Sequence, residues 1–184
     1  MAVLAEAISV IMRCETIETR YPRGGDGYVK DAPNKTLCTD GRLARVGFMA
    51  PHDVKSFVSR LEKLGFEFVR DGKAIDMCVV DQLHGPTARC EWLEYLHMDI
   101  SDSSETICVA VCREVGDQGN DVYPPETWNI HDSLSRNCRF IPNENVKDRL
   151  ELIRHENGLD VFRDRTTDKV FYMGRTSPLP SVAR

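Results

Sequence analysis

The stretch Asp81–Thr87 contains side chains that can transfer protons. It leaves the end of a predicted strand and enters a Gly-Pro turn. Loops carried by a rigid sheet often present binding and catalytic groups, so Asp81 and His84 are a candidate acid–base pair. The alternative is that Asp81 caps the turn and His84 is an ordinary surface residue.

A cysteine is a second candidate for catalysis. Cys138 lies close to Arg136 and Arg139, and basic neighbours favour the reactive thiolate form. His131 is its candidate base, although the sequence cannot place the two side chains side by side. Cys90 with His84 is a further pairing, but Cys90 begins a predicted strand, which favours a structural role.

Some polar and aromatic side chains of the same region suit a ligand pocket. Gln82 belongs to the polar stretch after the strand, and we predict that Trp92, Tyr95 and Trp128 line a pocket with it. The alternative for the aromatic residues is an ordinary place in the core.

The histidines and cysteines do not follow metal-binding patterns. The sequence contains no HxH, HExxH or CxxC motif. The acidic connector from Asp99 to Glu105 lacks the glycine and the distal glutamate of a calcium loop. We predict neither a metal site nor a cofactor.

Charge is unevenly distributed along the chain. The net charge of −5 argues against binding to nucleic acid. Residues 91–132 carry ten acidic side chains and one basic side chain. Such a segment is either a solvated face or a patch for a basic partner. We predict a protein partner with a basic surface, or self-association through exposed edge strands.

The 184 residues are enough for one large domain or two small ones, and 41% of them are hydrophobic. No apolar run approaches the ~20 residues that cross a bilayer. The N-terminus lacks the pattern of a secretory signal. We therefore predict a cytoplasmic protein without membrane association, in which the seven cysteines are free.

The clearest structural pattern runs from Arg42 to Gly65. Leu43–Met49 alternates as a strand, and Pro51 marks the first turn of a helix. The apolar stripe of this helix recurs with the helical period, and Gly65 is the expected stop. The stripe consists of Val54, Phe57, Val58, Leu61 and Leu64.

The elements around this unit predict an α+β fold with a mainly antiparallel sheet. Residues 7–81 have the order β-α-β-β-α-β with one added strand, which is the ferredoxin-like arrangement. In this interpretation Gly24–Gly27 is a flexible connector. We expect strands at Cys90–Met98 and Thr106–Arg113 to extend the same sheet.

The C-terminal half is predicted in three parts. Residues 114–143 form a long irregular segment after the α+β sheet domain of residues 7–113. Residues 144–175 form a helix, with Val146, Leu150 and Ile153 as its stripe, and a β-hairpin; both pack on the same domain. Residues 176–184 are a frayed tail.

No catalytic signature emerges from these patterns. We predict a binding or regulatory module for a protein or a small ligand, of which an immunity protein would be one case. The alternative is a small hydrolase or transferase that uses Asp81 with His84, or Cys138 with His131.

Overall fold

The computed structural model describes residues 1–138, 150–156, 159–165, 168 and 170–174. The chain divides into two compact units, Met1–Pro142 and Asn143–Arg184. The predicted α+β class with mostly antiparallel sheets is confirmed. Among the described residues, no helix has the length and hydrophobicity needed to cross a membrane.

The first unit contains three α-helices, eleven strands and two 3-10 helices in its described part. The α-helices are α1 (Cys14–Arg20), α2 (Gly24–Lys30) and α3 (Pro51–Lys63), and the 3-10 helices are Ile130–Asp132 and Leu134–Asn137. The strands are β1 (Ala2–Leu4), β2 (Ile8–Arg13), β3 (Cys38–Thr39), β4 (Leu43–Phe48), β5 (Val69–Arg70), β6 (Lys73–Ala74), β7 (Met77–Asp81), β8 (Gly85–Pro86), β9 (Leu93–Ser101), β10 (Thr106–Glu114) and β11 (Val122–Tyr123).

The first sheet has the strand order β3-β4-β2-β7-β8, and every neighbouring pair is antiparallel. All three helices contribute to one core on one face of this sheet. Ile17 of α1, Tyr28 of α2 and Phe57 of α3 are buried there with Val10 and Val46 of the strands.

The predicted strand–helix unit is confirmed. Ala44, Val46 and Phe48 of β4 point into the helical core, as the alternation of a strand requires. The stripe of α3 is buried against them from Val54 to Leu61. Leu64 was wrongly included in this stripe, because the helix ends at Lys63 and Leu64 is exposed. Gly65 has φ +92°, the left-handed conformation that ends the helix.

The prediction that residues 90–113 extend this sheet is wrong. β9 and β10 are strands, but they belong to a second sheet with the order β11-β1-β10-β9. β1, which the sequence did not indicate, pairs with β10 and separates it from β11. The two sheets share a buried layer in which Ile11 and Cys78 meet Ala110 and Cys112.

The connector predicted at Gly24–Gly27 is the start of a helix. The Glu18 carboxylate accepts a hydrogen bond from the Gly25 N–H at 2.7 Å. A Cβ at Gly27 would lie 1.9 Å from the Pro22 carbonyl oxygen. Glycine is needed there because the helix backbone passes so close to the preceding turn.

The second unit contains β12 (Leu150–Glu156), β13 (Leu159–Asp164) and β14 (Val170–Gly174) in one antiparallel sheet. The predicted hairpin is confirmed as β13 and β14. The predicted helix is wrong over Leu150–Glu156, which is a strand paired with β13. Residues 144–149 of that helix and the predicted tail lie outside the described residues.

Candidate functional site

Arg45 is a buried cation in the middle of β4. Its neighbours Ala44 and Val46 point towards the helices, so the Arg45 side chain points to the other face of the sheet. The residue is 3% exposed. Its Nε donates to Ser9 Oγ at 2.9 Å, and its Nη2 and Nη1 donate to the carbonyl oxygens of Glu6 at 2.6 Å and Thr36 at 3.3 Å.

Gly47 makes room for this guanidinium. A Cβ at Gly47 would lie 2.3 Å from Arg45 Nη2. Burial lowers the pKa of Arg45, yet arginine stays protonated at neutral pH. All three of its hydrogen-bonded acceptors are uncharged, and within the described residues no carboxylate forms an ion pair with it.

Glu6 anchors the segment that follows β11. Its Oε1 accepts a hydrogen bond from Ser133 Oγ and lies 3.4 Å from Ser135 Oγ. All three of these residues are buried. The segment is therefore fixed to the connection between β1 and β2 by charge-assisted hydrogen bonds, which are stronger than neutral ones.

Gln82 supports the same connection from behind. Its Oε1 accepts from the Ala7 N–H at 2.8 Å, and its own N–H donates to the Ala7 carbonyl at 2.9 Å. Its Nε2 donates to Ser135 Oγ at 3.0 Å. Ala7 has φ +53°, a conformation that alanine seldom adopts, so these bonds hold a strained residue in place.

An open cleft of about 450 Å³ lies over this framework; we call it the Arg45 cleft. Its walls come from the β1–β2 connection, the end of β4, the start of α3 and the segment after β11. It is lined by Glu6, Ala7, Asn34, Thr36, Arg45, Gly47, Phe48, Met49, Asp53, Pro125, Thr127, Trp128, Asn129, Asp132 and Leu134.

The lining combines apolar surface with acidic groups. Trp128 supplies an aromatic ring, and the Met49 side chain is left 76% exposed at the same cleft. A flexible thioether at an open rim is typical of surfaces that adapt to a ligand. The carboxylates of Glu6, Asp53 and Asp132 outnumber the single guanidinium of Arg45.

The four predicted ligand-binding residues are separated. Trp128 lines the cleft, and Gln82 supports it without facing it. Tyr95 donates its hydroxyl to the Gln82 carbonyl at 2.6 Å and lies 3.1 Å from His97 Nε2. Trp92 donates its indole N–H to the Ile75 carbonyl at 2.9 Å and packs between the sheets.

Asp81 and His84 meet in an exposed turn. Asp81 Oδ1 accepts from the backbone N–H groups of Leu83 and His84 and lies 2.8 Å from His84 Nδ1. The His84 side chain is 70% exposed. This arrangement stabilises the turn and leaves the His84 ring largely in solvent.

His131 and Cys138 have separate partners. His131 Nδ1 lies 3.0 Å from Glu105 Oε1, at the tip of the β9–β10 hairpin. Cys138 donates its thiol to the Leu134 carbonyl at 3.5 Å. Burial, with a smaller effect from the Glu6 charge, raises the pKa of Cys138, so the thiol form is favoured.

Metal ligation has no support in the described part of the chain. No group of three or more His, Cys, Asp or Glu side chains is placed there to hold an ion.

Sequence reasoning missed Arg45, Glu6 and Met49. Arg45 had a usable signal, because a charged residue between apolar neighbours of a central strand must find buried acceptors. Gly47, two residues further on the same face, gave a second sign. Glu6 and Met49 carried no pattern that distinguishes them from surface residues.

Comparison of the chain with protein-family models, with curated proteins and with solved structures found no match.

Proposed function

We propose that this protein is a non-enzymatic binding module whose Arg45 cleft takes a small organic cation with an apolar body. The observation that carries the proposal is the pairing of exposed Met49 and Trp128 with three carboxylates over a fixed polar floor. Concave sites with apolar walls and a few oriented polar groups are the usual form of small-molecule sites.

The chemistry of the walls favours a positive charge. Glu6, Asp53 and Asp132 make the local field negative, and such a cleft concentrates cations. An ammonium group above an indole ring gains a further ~0.5–2 kcal/mol, which Trp128 can supply. Met49 can cover the apolar part of the ligand.

An anionic ligand has less support. Arg45 is the cation of the cleft lining, and three of the five N–H donors of its guanidinium are directed to Ser9, Thr36 and the Glu6 carbonyl. A carboxylate ligand would have to approach the carboxylates of Glu6, Asp53 and Asp132, which repel it. Arg45 is better described as the rigid floor, which lowers the cost of ordering the site on binding.

The alternative of a small hydrolase or transferase has weaker support. Asp81 and His84 form an exposed turn, and the described contacts of Cys138 and His131 are with other residues. Neither pair lines the Arg45 cleft.

A partner with a basic surface also has weaker support, because part of the acidic segment is paired within the chain. Four of its glutamates lie within 3.3 Å of a lysine or arginine nitrogen. The pairs are Glu91–Lys73, Glu94–Arg113, Glu105–Arg136 and Glu114–Arg42. Self-association remains a prediction.

We also propose that β2, β3, β4 and β7 with their helices form a ferredoxin-like unit. The strand order β3-β4-β2-β7, its antiparallel pairing and the helices on one face support this. The arrangement hosts many functions, so it does not bear on the ligand.

The proposal is tested with three probes that share one apolar body. Isothermal titration calorimetry compares protonated 2-phenylethylamine, 2-phenylethanol and phenylacetate. We expect the amine to bind about tenfold tighter than the alcohol, a difference of ~1.4 kcal/mol, and phenylacetate to bind most weakly. Asp132→Asn should reduce the preference for the amine.

Asp26→Asn is the matched control, because Asp26 is exposed on α2 and does not line the cleft. It should leave all three affinities unchanged. Tightest binding of phenylacetate, or no binding of any probe, would overturn the proposal.

A further inference from the structure

Two further clefts continue the Arg45 cleft along α3. The first has a volume of about 460 Å³ and shares Asn34, Phe48 and Asp53 with the Arg45 cleft. The second has a volume of about 400 Å³ and shares Ser56 and Arg60 with the first. The three clefts therefore adjoin one another as one surface groove, which we call the α3 groove.

The charge of the α3 groove changes sign along its length. One end is the Arg45 cleft, where three carboxylates outnumber one guanidinium. The other end is lined by Lys55, Arg60, Lys63 and two serines, and this described lining contains no acidic side chain. Glu62, which belongs to the same half of α3 as Lys63, does not line it. The local field is therefore negative at one end of the groove and positive at the other.

The cations at the basic end are free to meet an acidic ligand. Within the described residues, neither Lys55 nor Lys63 lies within ion-pair distance of a carboxylate. Arg60 is held in place, because its Nη2 donates to the Asp31 carbonyl at 2.9 Å and its Cζ lies 5.1 Å from the centre of the Phe57 ring. Arg60 and Lys63 also suit the negative end of the helix dipole, but Lys55 lies in the first half of α3. The dipole therefore does not account for all three cations.

The exposed residues between the two ends carry no charge. They are Pro33, Asn34 and Ser56. The Asn34 amide donates one N–H to the Gly47 carbonyl at 2.8 Å, and its second N–H can bind a carbonyl group of a ligand. A peptide backbone offers such a carbonyl at every residue.

We propose that the α3 groove binds the N-terminal segment of another protein chain. The first residue of that segment, an ammonium group with an apolar side chain, occupies the Arg45 cleft. Acidic side chains further along the segment lie on Lys55, Arg60 and Lys63. The inference rests on the proposed preference of the Arg45 cleft for organic cations, because an N-terminal phenylalanine carries the same ammonium group and phenyl ring as 2-phenylethylamine.

The length of α3 sets the spacing of these features. Lys63 follows Asp53 by ten positions, which correspond to a rise of ~15 Å in a helix. An extended chain covers this distance with about five residues. We therefore place the acidic side chains about four to six residues after the N-terminus of the bound segment.

The test compares heptapeptide amides at low salt by isothermal titration calorimetry. Each peptide begins with phenylalanine and a Gly-Ser-Ser linker and ends in three glutamates or three glutamines. We expect the glutamate peptide to bind about tenfold tighter than the glutamine peptide, because it adds ion pairs with exposed cations. Acetylation of its N-terminus should weaken binding by about tenfold, because the ammonium group is lost.

Lys63→Ser tests the basic end separately. It should reduce the preference for the glutamate peptide and leave the affinity for 2-phenylethylamine unchanged. Lys73→Ser is the matched control, because it removes the same charge from a partly exposed residue that lines none of the three clefts. It should leave both the preference and the amine affinity unchanged.

The outcomes separate this inference from the proposed function. Equal binding of the glutamate and glutamine peptides, with 2-phenylethylamine bound as expected, would overturn the peptide partner and leave the cation site in place. An acetylated glutamate peptide that binds as well as the free one would also overturn the peptide partner, because its N-terminus would not be recognised. Tighter binding of hexathymidylate than of the glutamate peptide would assign the basic end to a nucleic acid instead. No binding of the amine or of any peptide would overturn both proposals.

Discussion

At the scale of single residues, the candidate site depends on how Arg45 is accommodated. A buried guanidinium is costly unless its donors are satisfied. Here the acceptors are a hydroxyl and two carbonyl groups, and the space is provided by Gly47. The cation is therefore held by geometry that one added methyl group would disturb.

Gly47→Ala tests this arrangement. The new Cβ would collide with Arg45 Nη2, so the buried guanidinium would have to shift and give up its hydrogen bonds to Ser9, Glu6 and Thr36. We expect a loss of roughly 2–3 kcal/mol in the free energy of unfolding, measured by urea denaturation.

A double-mutant cycle separates this clash from a general effect of alanine on the strand. In an Arg45→Met background the colliding group is absent, so Gly47→Ala should cost much less than it does in the wild type. Equal costs in both backgrounds, or no cost in the wild type, would mean that Gly47 does not make room for Arg45.

At the scale of elements, α3 is the part that joins the core to the cleft. Its stripe is buried on the first sheet, and its first turn places Asp53 on the cleft wall. Phe57 is packed with Phe48 and Tyr28 at ring-centre distances of 5.3 and 6.5 Å.

Phe57→Asp should therefore unfold the protein or lower its melting temperature strongly. The change removes a buried ring and buries an unpaired carboxylate, which together cost more than about 3 kcal/mol. Ser56→Asp introduces the same residue at an exposed position of α3 and should stay within about 0.5 kcal/mol of the wild type. Equal melting temperatures for Phe57→Asp and the wild type would refute the assignment of the core.

Elements with a long, regular pattern were predictable from the sequence. The helical spacing of the apolar residues in α3 and the alternation of residues in β4 predict which face of each element is buried. The second sheet was not predictable, because β1 has three residues and local patterning does not specify which strands pair. Leu150 and Ile153 fit a helical stripe by spacing, but the same residues occur in a strand whose pairing with β13 is non-local.

The site was predictable only in part for the same reason. A tryptophan in an irregular segment is expected to pack somewhere, and Trp128 packs on the second sheet and lines the cleft, while its role in binding stays a prediction. Glu6 and Asp132 are 126 positions apart, so their convergence depends on tertiary structure that no local pattern reports.

At the scale of the whole molecule, acidic residues that are clustered in the sequence lie close to basic residues in the folded structure. Glu91, Glu94, Glu105 and Glu114 of the acidic segment meet cations from other parts of the first unit or from the neighbouring strand. The Arg45 cleft keeps a local excess of carboxylates, and it has apolar walls beside them. Local composition around a cleft is therefore a better guide to its ligand than the net charge of −5.

We propose that the Arg45 cleft binds a small organic cation. The most direct measurement is an NMR titration of the full chain, labelled at its methionine methyl groups, with protonated 2-phenylethylamine. Met49 is 76% exposed at the cleft, whereas Met12 and Met77 are fully buried in the helical core. We expect a saturable shift of the Met49 resonance, whereas the Met12 and Met77 resonances should not move. A Met49 resonance that does not move, or equal shifts at all three methionines, would contradict it.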